Sequence, residues 1–280
     1  MIILKSTIEL NNWFIENLNG FVENVGFVPT MGALHMGHAS LIEKASKECQ
    51  IVVVSILVNP TQFNEKADLL SYPRTLENDI IVAEKAGGTI LFTPSPKDIY
   101  GGTPYAEPVD YGPITSTFEG FSRQGHFDGV VAVVDKLFLA VKPNRAYFGS
   151  KDLQQVAVVE RMSNERHPNI KIVSCDLIRD ENGLALSSRN IRLSYAGIIL
   201  AQNISQELKT VAERVKDGVD MIDSVEIAKK KLKNLEGLEL EYISGVNCKT
   251  FSISPENRGW SHIIVAARVE GVRLIDNIEL

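Results

Sequence analysis

Two histidines near the amino end of the chain carry the clearest chemical signal. They close the segment Pro29-Thr30-Met31-Gly32-Ala33-Leu34-His35-Met36-Gly37-His38, which follows a predicted strand and opens a predicted helix. Because residues three apart at a helix start can face one way, His35 and His38 can act together. A helix N-terminus also offers N–H groups and partial positive charge, which suit phosphate. The pattern predicts two imidazole N–H donors to phosphate oxygens in a transition state, in preference to two packing histidines.

A second segment, far downstream, supplies hydroxyl groups and a positive charge. Ser187, Ser188 and Arg189 lie in Gly183-Leu184-Ala185-Leu186-Ser187-Ser188-Arg189-Asn190, after the last predicted strand of the first domain. Such groups can bind a polyphosphate and stabilise leaving pyrophosphate. A polar turn that caps the next helix explains the segment equally well when it is taken alone. The histidine pair favours the phosphate interpretation.

Two more segments lie where predicted strands end. In Tyr147-Phe148-Gly149-Ser150-Lys151-Asp152-Leu153-Gln154-Gln155, Lys151 offers a point charge for phosphate, while Asp152 suits either a helix start or a ribose or Mg²⁺ contact. In Leu57-Val58-Asn59-Pro60-Thr61-Gln62-Phe63, the Gln62 amide can donate and accept, which suits a hydroxy acid. An exposed glutamine in a proline turn is the alternative.

The elements that position these segments alternate between strand and helix. Short apolar runs such as 51–58 alternate with helical patterns such as 37–49 and 128–141, which predicts an α/β, Rossmann-like parallel sheet with helices on both faces. Ligands of such sheets bind outside the carboxyl ends of the strands. After about Ser187 the pattern changes to two amphipathic helices and a hairpin-containing sheet. We therefore predict a nucleotide- and substrate-binding domain over 1–178 and a smaller α+β domain over 179–280.

The finer pattern makes further predictions about individual elements. We expect one strand over 170–178, strands over 238–246 and 263–272, and a long surface loop over 95–113. The three cysteines, which have no zinc spacing, are expected to be buried apolar side chains.

Composition narrows the class of protein. The 280 residues carry a net charge of −6, which argues against nucleic-acid binding, since that needs a basic face. The first residues lack the basic end and long apolar stretch of a signal peptide. The longest apolar runs fall far short of the ~20 residues that span a bilayer. These features predict a cytoplasmic protein with no membrane partner and no nucleic-acid partner.

Together the segments resemble the pantothenate synthetase (pantoate-beta-alanine ligase) family. The histidine segment alone is similar to the HIGH motif of class I aminoacyl-tRNA synthetases and related nucleotidyltransferases. The set is far more specific, because other HIGH-type enzymes do not share NPTQF or GSKDLQQ. The matching stretches, in the family's order and spacing, are PTMGALHMGH, VNPTQF, RQGHFDGVVAVVDKLF, YFGSKDLQQ and LALSSRN.

The resemblance implies roles for individual residues. Catalytic roles fall to His35, to His38 as proton donor, and to Lys151 and Arg189. Gln62 and Gln155 would hold pantoate, with Gln62 also near beta-alanine. The implied ATP site comprises Met31, Gly32, Ala33, Leu34, His35, Met36, Gly37, His38, Gly149, Ser150, Lys151, Asp152, Ile178, Leu186, Ser187, Ser188 and Arg189. Ser150, Ile178 and Leu186 stand where Glu, Val and Met are usual, and none of these departures removes a charged catalytic group.

The resemblance also implies an activity. Pantoate would react with ATP, accompanied by Mg²⁺, to give pantoyl adenylate, and beta-alanine would then yield pantothenate and AMP. The second domain would act as a lid. No protein ligand to the metal is assigned. The family is commonly homodimeric. A pantetheine-phosphate or nicotinamide-mononucleotide adenylyltransferase is one alternative, but it would not explain Gln62 or Gln155. A non-catalytic nucleotide-binding regulator is another, although it would be expected to have lost some of the catalytic residues.

Three other residues have two interpretations each. Asp79 is expected to be a solvated helix carboxylate in preference to a Mg²⁺ ligand. Arg123 and His126 lie in the RQGHF segment, where a surface loop before a helix and a phosphate or substrate contact explain them equally well.

Overall fold

Short apolar strands alternate with helices through the first two-thirds of the chain. The computed structural model describes residues 1–17, 24–64, 66–252 and 259–280. The strands are β1 (Ile2–Leu4), β2 (Val25–Thr30), β3 (Ile51–Ile56), β4 (Ile90–Phe92), β5 (Arg145–Gly149), β6 (Lys171–Cys175), β7 (Leu238–Val246), β8 (His262–Val269) and β9 (Val272–Glu279). The helices are α1 (Thr7–Asn17), α2 (Met36–Glu48), α3 (Lys66–Ser71), α4 (Leu76–Lys85), α5 (Pro96–Tyr100), α6 (Pro113–Ser116), α7 (Glu119–Ser122), α8 (His126–Val141), α9 (Leu153–Arg166), α10 (Tyr195–Lys216) and α11 (Met221–Lys233).

The contacts between residues divide the chain into two compact units. The first comprises Met1–Ser150 and Val158–Asp176, and the second comprises Lys151–Ala157 and Leu177–Leu280. Helix α9 therefore has residues in both units. The predicted boundary after residue 178 and the predicted lid role of the second domain stay predictions.

The first unit is built on a parallel sheet. Over the described residues it has six strands in the order β1-β4-β3-β2-β5-β6, every neighbouring pair parallel. The order reverses between β2 and β5, the point where open parallel sheets leave a crevice for ligands. The β2–β3 register pairs Val25 with Ile51 and Thr30 with Ile56, so the two strands end side by side.

Successive side chains of β2 pack against helices on opposite faces of the sheet. Val28 belongs to a buried cluster with Leu41 and Ile42 of α2. Its neighbour Phe27 packs edge-on against Phe138 of α8, with ring centroids 6.2 Å apart. Because successive side chains of a strand point to opposite faces, helices cover both faces of the sheet. The predicted Rossmann-like fold is confirmed.

The second unit combines helices with an antiparallel sheet. In the described part of the chain this sheet has three strands in the order β7-β8-β9. Helix α10 begins at the N-cap Ser194 and α11 at the N-cap Asp220, whose side chains accept N–H groups of the first turn. Both helices and the sheet contribute to one apolar core. The predicted smaller α+β domain is confirmed in its fold class.

Several finer predictions were wrong. The strand expected over 170–178 ends at Cys175, and the one expected over 263–272 turns at Glu270 and Gly271, both at positive φ, and returns as β9. The expected loop over 95–113 contains α5. Strand β1, with three residues, and helix α1, whose one buried residue is Leu10, carried too weak a pattern to be predicted. Cys49 and Cys175 are buried as expected, whereas Cys248 is half-buried.

No helix in the described ranges combines the length and the apolar character that a membrane crossing requires.

Candidate active site

A strained turn joins β2 to α2. Gly32 has φ +83° and Ala33 has φ +50°, the left-handed region that residues with a side chain seldom adopt. The Thr30 hydroxyl donates to the Ser55 carbonyl oxygen at 2.7 Å and accepts the Gly32 N–H at 3.1 Å. The end of β2 therefore holds the turn against its neighbour strand.

Asp79 of α4 fixes the same turn from the other side. Its carboxylate accepts the Ala33 N–H at 3.1 Å and the Leu34 N–H at 2.7 Å, and the Thr75 hydroxyl donates to it at 3.0 Å. The residue is 1 % exposed. The expectation of a solvated carboxylate was therefore wrong, and the carboxylate's acceptors are directed at the backbone of the turn.

The histidines lie together at the start of α2. His35 is the N-cap residue and His38 the third residue of the helix, with ring centroids 4.2 Å apart. His35 Nδ1 accepts the Gly37 N–H at 3.1 Å, and His38 Nδ1 accepts the His35 N–H at 3.3 Å. Because each Nδ1 is an acceptor, the proton of each neutral ring lies on Nε2. Both Nε2–H groups are therefore suited to donate to an anion.

Gln62 ends a 3₁₀ turn, Pro60–Gln62, that follows β3. The Asn59 Nδ2 group donates to its Oε1 at 3.2 Å, and its own Nε2 contacts the Met31 sulfur at 3.2 Å. Gln62 is 9 % exposed, so the alternative of an exposed glutamine was wrong. The amide links the turn after β3 to the turn after β2.

Asn59 organises the surroundings of Gln62. Its Nδ2 also donates to the Gly129 carbonyl oxygen at 3.0 Å, and its Oδ1 accepts the Thr61 hydroxyl at 3.0 Å and the Tyr100 hydroxyl at 2.9 Å. Burial raises the pKa of Tyr100, against the opposing hydrogen bonds from Thr61 and Asn59. Tyr100 therefore stays a hydroxyl donor to Asn59.

Arg123 and His126 support the main chain of Gln62. His126 Nδ1 lies 2.9 Å from the Gln62 carbonyl oxygen, and Arg123 Nη1 lies 2.9 Å from His126 Nε2. Since a carbonyl oxygen can only accept, Nδ1 carries the proton and Nε2 accepts from Arg123. His126 is buried. The surface-loop interpretation was wrong for His126, and a role in substrate contact stays a prediction for both residues.

In the second unit, Lys151 and Gln155 lie around the start of α9. Ser150–Asp152 forms a 3₁₀ turn, and Gln155 follows in the first turn of the helix. Asp152 therefore lies just before the α-helix, not inside it. The Asn277 amide of β9 donates to the Lys151 carbonyl oxygen at 3.1 Å, which fixes the main chain there.

A short hairpin carries the serine-arginine segment. Arg179 bridges Ala185 in antiparallel fashion, and the Leu186 N–H donates to the Ile178 carbonyl oxygen at 3.0 Å. The Asn190 amide donates to the Ala185 carbonyl oxygen at 2.9 Å, and the Arg189 N–H donates to the Ser187 hydroxyl at 3.3 Å. The α10 cap is Ser194, so the interpretation that a serine or the asparagine of this segment caps that helix was wrong.

The predicted residues thus fall into two sets. The first unit holds Gln62, Gly149, Ser150 and the segment Met31, Gly32, Ala33, Leu34, His35, Met36, Gly37 and His38, within which the two histidines adjoin and Gln62 touches Met31. The second unit holds Lys151, Asp152, Gln155, Ile178, Leu186, Ser187, Ser188 and Arg189, within which Ile178 and Leu186 pair.

Comparison with known proteins decides the family. The model of the pantoate-beta-alanine ligase family matches residues 2–279. The chain belongs to the pantoate-beta-alanine ligase family. It is 44 % identical over 258 residues to the pantothenate synthetase of Cytophaga hutchinsonii, with 91 % of each chain covered. It is 42 % identical over 280 residues to that of Campylobacter fetus, with 99 % of each covered.

Solved pantoate-beta-alanine ligases share the fold. The pantothenate synthetase of Thermus thermophilus superposes with a TM-score of 0.91 at 38 % identity, covering 100 % of this chain and 99 % of that one. The ligase of Francisella tularensis, solved with beta-gamma ATP and beta-alanine, gives a TM-score of 0.80 at 36 % identity, covering 100 % and 97 %. The chain is therefore a ligase, and family membership decides against the adenylyltransferase and regulator alternatives.

The sequence held partial signals for the supporting residues of this ligase site. Asp79 shares a helical face with Ala83 and Ala86, four and seven residues on, and both alanines are buried. A charged residue on an apolar face indicates a buried partner. Asn59 precedes the proline of NPTQF, where asparagine often caps a turn. Nothing local in the sequence indicated that His126 would reach the Gln62 carbonyl.

Proposed function

We propose that the chain condenses (R)-pantoate with beta-alanine through a pantoyl-adenylate intermediate, releasing pantothenate, AMP and pyrophosphate. The observation that carries this proposal is the burial and the hydrogen bonding of Gln62. A neutral amide, buried at the carboxyl edge of the sheet and held by Asn59 beside Met31, suits a substrate with hydroxyl and carboxylate groups. A site for ATP alone would not require it.

In the first step a pantoate carboxylate oxygen bonds to the α-phosphorus of ATP, and the bond to the pyrophosphate oxygen breaks. The Nε2–H groups of His35 and His38 donate to the phosphate oxygens as negative charge accumulates there. Lys151 and Arg189 neutralise the leaving pyrophosphate, with Ser187 and Ser188 as hydroxyl donors. Thr30 and Asp79 fix the main chain of the turn of residues 32–34. This turn thereby places the start of α2 for the contact with phosphate.

In the second step the amine of beta-alanine attacks the acyl carbon of the adenylate. The carbon–oxygen bond to AMP breaks, the amine loses a proton, and an amide forms. Gln62 and Gln155 orient the pantoyl group through its hydroxyls, since an amide can donate and accept at once. Positioning of two bound reactants supplies most of the acceleration such a step needs.

We propose that Mg²⁺ arrives with ATP. Among the described residues no group of three or more His, Cys, Asp or Glu side chains is placed to hold a metal. Asp79 is a buried carboxylate that contacts the turn before the two histidines, and both of its oxygens already accept hydrogen bonds from N–H or hydroxyl groups. Magnesium commonly binds through nucleotide phosphates and few protein carboxylates, so a substrate-bound ion fits this chain.

We further propose that the ligase works in the cytoplasm as a homodimer. The reduced cysteines fit a reducing compartment, and the dimer follows from the family resemblance. Sedimentation or sizing of the purified protein tests the dimer, and a monomer at all accessible concentrations would contradict it.

The test of the proposed function is a product balance. Purified protein is incubated with MgATP, (R)-pantoate and beta-alanine, and AMP, pyrophosphate and pantothenate are quantified together. We expect equal amounts of the three products, and no pantothenate when any one substrate is omitted. Formation of ADP, or a product that retains the nucleotide, would overturn the proposal.

A further inference from the structure

The last strand of the second unit contacts two segments that carry proposed ATP-binding residues. Asp276 and Asn277 are adjacent in β9, and β8 holds them in register through the pairs Val265–Asp276 and Ile264–Asn277. Both are buried. Adjacent residues of a strand point to opposite sides, so one strand can hold two partners.

Asp276 holds the base of the hairpin of residues 178–186. The Arg179 guanidinium donates to its two carboxylate oxygens at 2.7 and 2.8 Å. The same guanidinium donates to the Gly183 and Asn277 carbonyl oxygens, each at 2.9 Å. One side chain thus ties both arms of the 178–186 hairpin to β9, immediately before Ser187, Ser188 and Arg189.

Asn277 holds the second segment. Its Nδ2 donates to the Lys151 carbonyl oxygen at 3.1 Å, while its own N–H donates to Asp276 Oδ1 at 2.7 Å. Asp276 and Asn277 are therefore coupled to each other, to the main chain of Lys151, and through Arg179 to the 178–186 hairpin.

Stability alone does not account for the ion pair. Burial raises the pKa of Asp276 above its ordinary value, against the opposing effects of Arg179, the Asn277 N–H and Lys151. A buried pair with such a desolvation cost contributes little net stability, and breaking it by removing one partner leaves a charge unpaired. The bidentate geometry does fix direction, because the guanidinium fork matches the carboxylate.

We propose that Asp276, Arg179 and Asn277 are positioning residues for ATP: β9 sets the place of Lys151 and of the Ser187–Arg189 segment together. This inference rests on the proposed function, since it assigns those segments to the polyphosphate. The three residues act through their partners and need not touch the nucleotide.

The test uses near-isosteric variants of the full chain. Asp276→Asn and Arg179→Lys remove the bidentate pair, and Asn277→Asp replaces the amide that donates to the Lys151 carbonyl. The matched control is Glu241→Gln, because Glu241 of β7 pairs with Arg268 and Arg273 in the same sheet but not with the 178–186 hairpin. Each variant is assayed for the ATP and pantoate KM in ATP-pyrophosphate exchange, for thermal unfolding, and for amide hydrogen exchange.

We expect Asp276→Asn and Arg179→Lys to raise the ATP KM about tenfold, the usual size for loss of a charged hydrogen bond. Asn277→Asp, which loses a neutral hydrogen bond to the Lys151 carbonyl, should raise it by about three- to tenfold. The pantoate KM should change by less than about twofold. The Asp276→Asn/Arg179→Lys double variant should be no worse than either single one, because both act through one interaction. Glu241→Gln should leave the ATP KM unchanged. The main-chain N–H groups of Leu186 and Asn190 should exchange their hydrogens faster in Asp276→Asn than in Glu241→Gln.

Equal rises in both KM values, or a lowered Tm with an unchanged ATP KM, would overturn the proposal and leave a purely structural network. If Asp276→Asn does not fold, Asn277→Asp, which removes one donor, decides by the same criteria. A wild-type protein without pantoate-dependent exchange would contradict the proposed function instead. Hydrogen exchange and direct ATP titration would then still test whether β9 positions the two segments.

Discussion

At the scale of single residues, the histidine pair serves both the helix and the proposed chemistry. Each Nδ1 atom accepts a backbone N–H at the start of α2, and together they form a capping box. Capping boxes ordinarily use Ser or Thr with Glu or Gln. The imidazoles replace those side chains and add an Nε2–H on the opposite edge of each ring. The residues that cap the helix are therefore also the proposed phosphate donors.

This double role permits a variant that separates stability from activity at His38. His38→Glu keeps a side-chain acceptor for the His35 N–H but has no donor for phosphate, whereas His38→Ala loses both. Both variants should slow adenylate formation by roughly 10²-fold or more, as removal of a transition-state donor does. His38→Ala should also lower stability by about 1 kcal/mol, the usual value of a cap. Single-turnover kinetics and thermal unfolding measure the two effects, and near-normal turnover in either variant would contradict the assignment.

Gln62 and Gln155 should affect the binding of pantoate and not the binding of ATP. Because Gln62 and Gln155 are proposed to bind pantoate, Gln62→Ala and Gln155→Ala should each leave substrate groups without a hydrogen-bond partner, at a cost of about 1–3 kcal/mol. Each should raise the pantoate KM about tenfold or more, with little change in ATP affinity measured without pantoate. Paired titrations of ATP binding and pantoate-dependent exchange check this. Loss of ATP binding with unchanged pantoate dependence would place these residues elsewhere in the site.

Asp79 should act through the turn that it holds. Asp79→Asn keeps the shape of the side chain but replaces one acceptor with a donor, facing the Ala33 and Leu34 N–H groups. Because Ala33 is already at positive φ, the turn should relax, and adenylate formation should fall about tenfold or more. Glu77→Gln, an exposed change in the same helix turn, is the control. Equal activity of Asp79→Asn and Glu77→Gln would show that the hydrogen bonds from the turn to Asp79 have no catalytic consequence.

At the scale of elements, close packing of α8 against the 3₁₀ turn places Gln62. A β-carbon at Gly129 would lie 2.4 Å from the Thr61 carbonyl oxygen and 2.6 Å from the Gln62 nitrogen. These are backbone atoms, which cannot rotate away. Glycine at this position therefore lets the turn and the helix share the Asn59–Gly129 hydrogen bond.

Gly129→Ala should push the turn away from α8. We expect a loss of about 1–3 kcal/mol in the free energy of unfolding, typical of overpacking, and a raised pantoate KM with a smaller change for ATP. Gly102→Ala is the matched control, because a β-carbon there meets no atom of the described residues within 4 Å, its chain neighbours aside. An unchanged pantoate KM in Gly129→Ala would mean that this packing does not position Gln62.

Periodicity predicted most of the elements, and the failures have physical causes. Strand β3 and helices α2 and α8 were evident because their apolar patterns are long and regular. Strand β1 has three residues, too few to show a period. Strand β9 was missed because polar residues, among them Arg273, Asp276 and Asn277, break up its apolar pattern.

At the scale of the whole molecule, the motifs proposed to bind substrate could be recognised from sequence, whereas the residues that hold those motifs in place could not be paired with them. The motifs that carry charge or amides are local, so sequence alone could assign them. Asp79 is 46 positions from Ala33, whose N–H it accepts, and Arg179 is 97 positions from Asp276. Contacts over such separations depend on the packed fold. Local patterns carried partial signals for Asp79 and Asn59, but only the structure shows which groups each of them holds.

As a whole, the molecule is proposed to activate pantoate with ATP, and ATP-pyrophosphate exchange tests this activity most directly. Labelled pyrophosphate, MgATP and purified protein are incubated without beta-alanine, with and without (R)-pantoate. Because adenylate formation is reversible and precedes the amine, we predict that label enters ATP only when pantoate is present. Exchange without any acid, or exchange that requires phosphopantetheine or nicotinamide mononucleotide instead, would contradict the account.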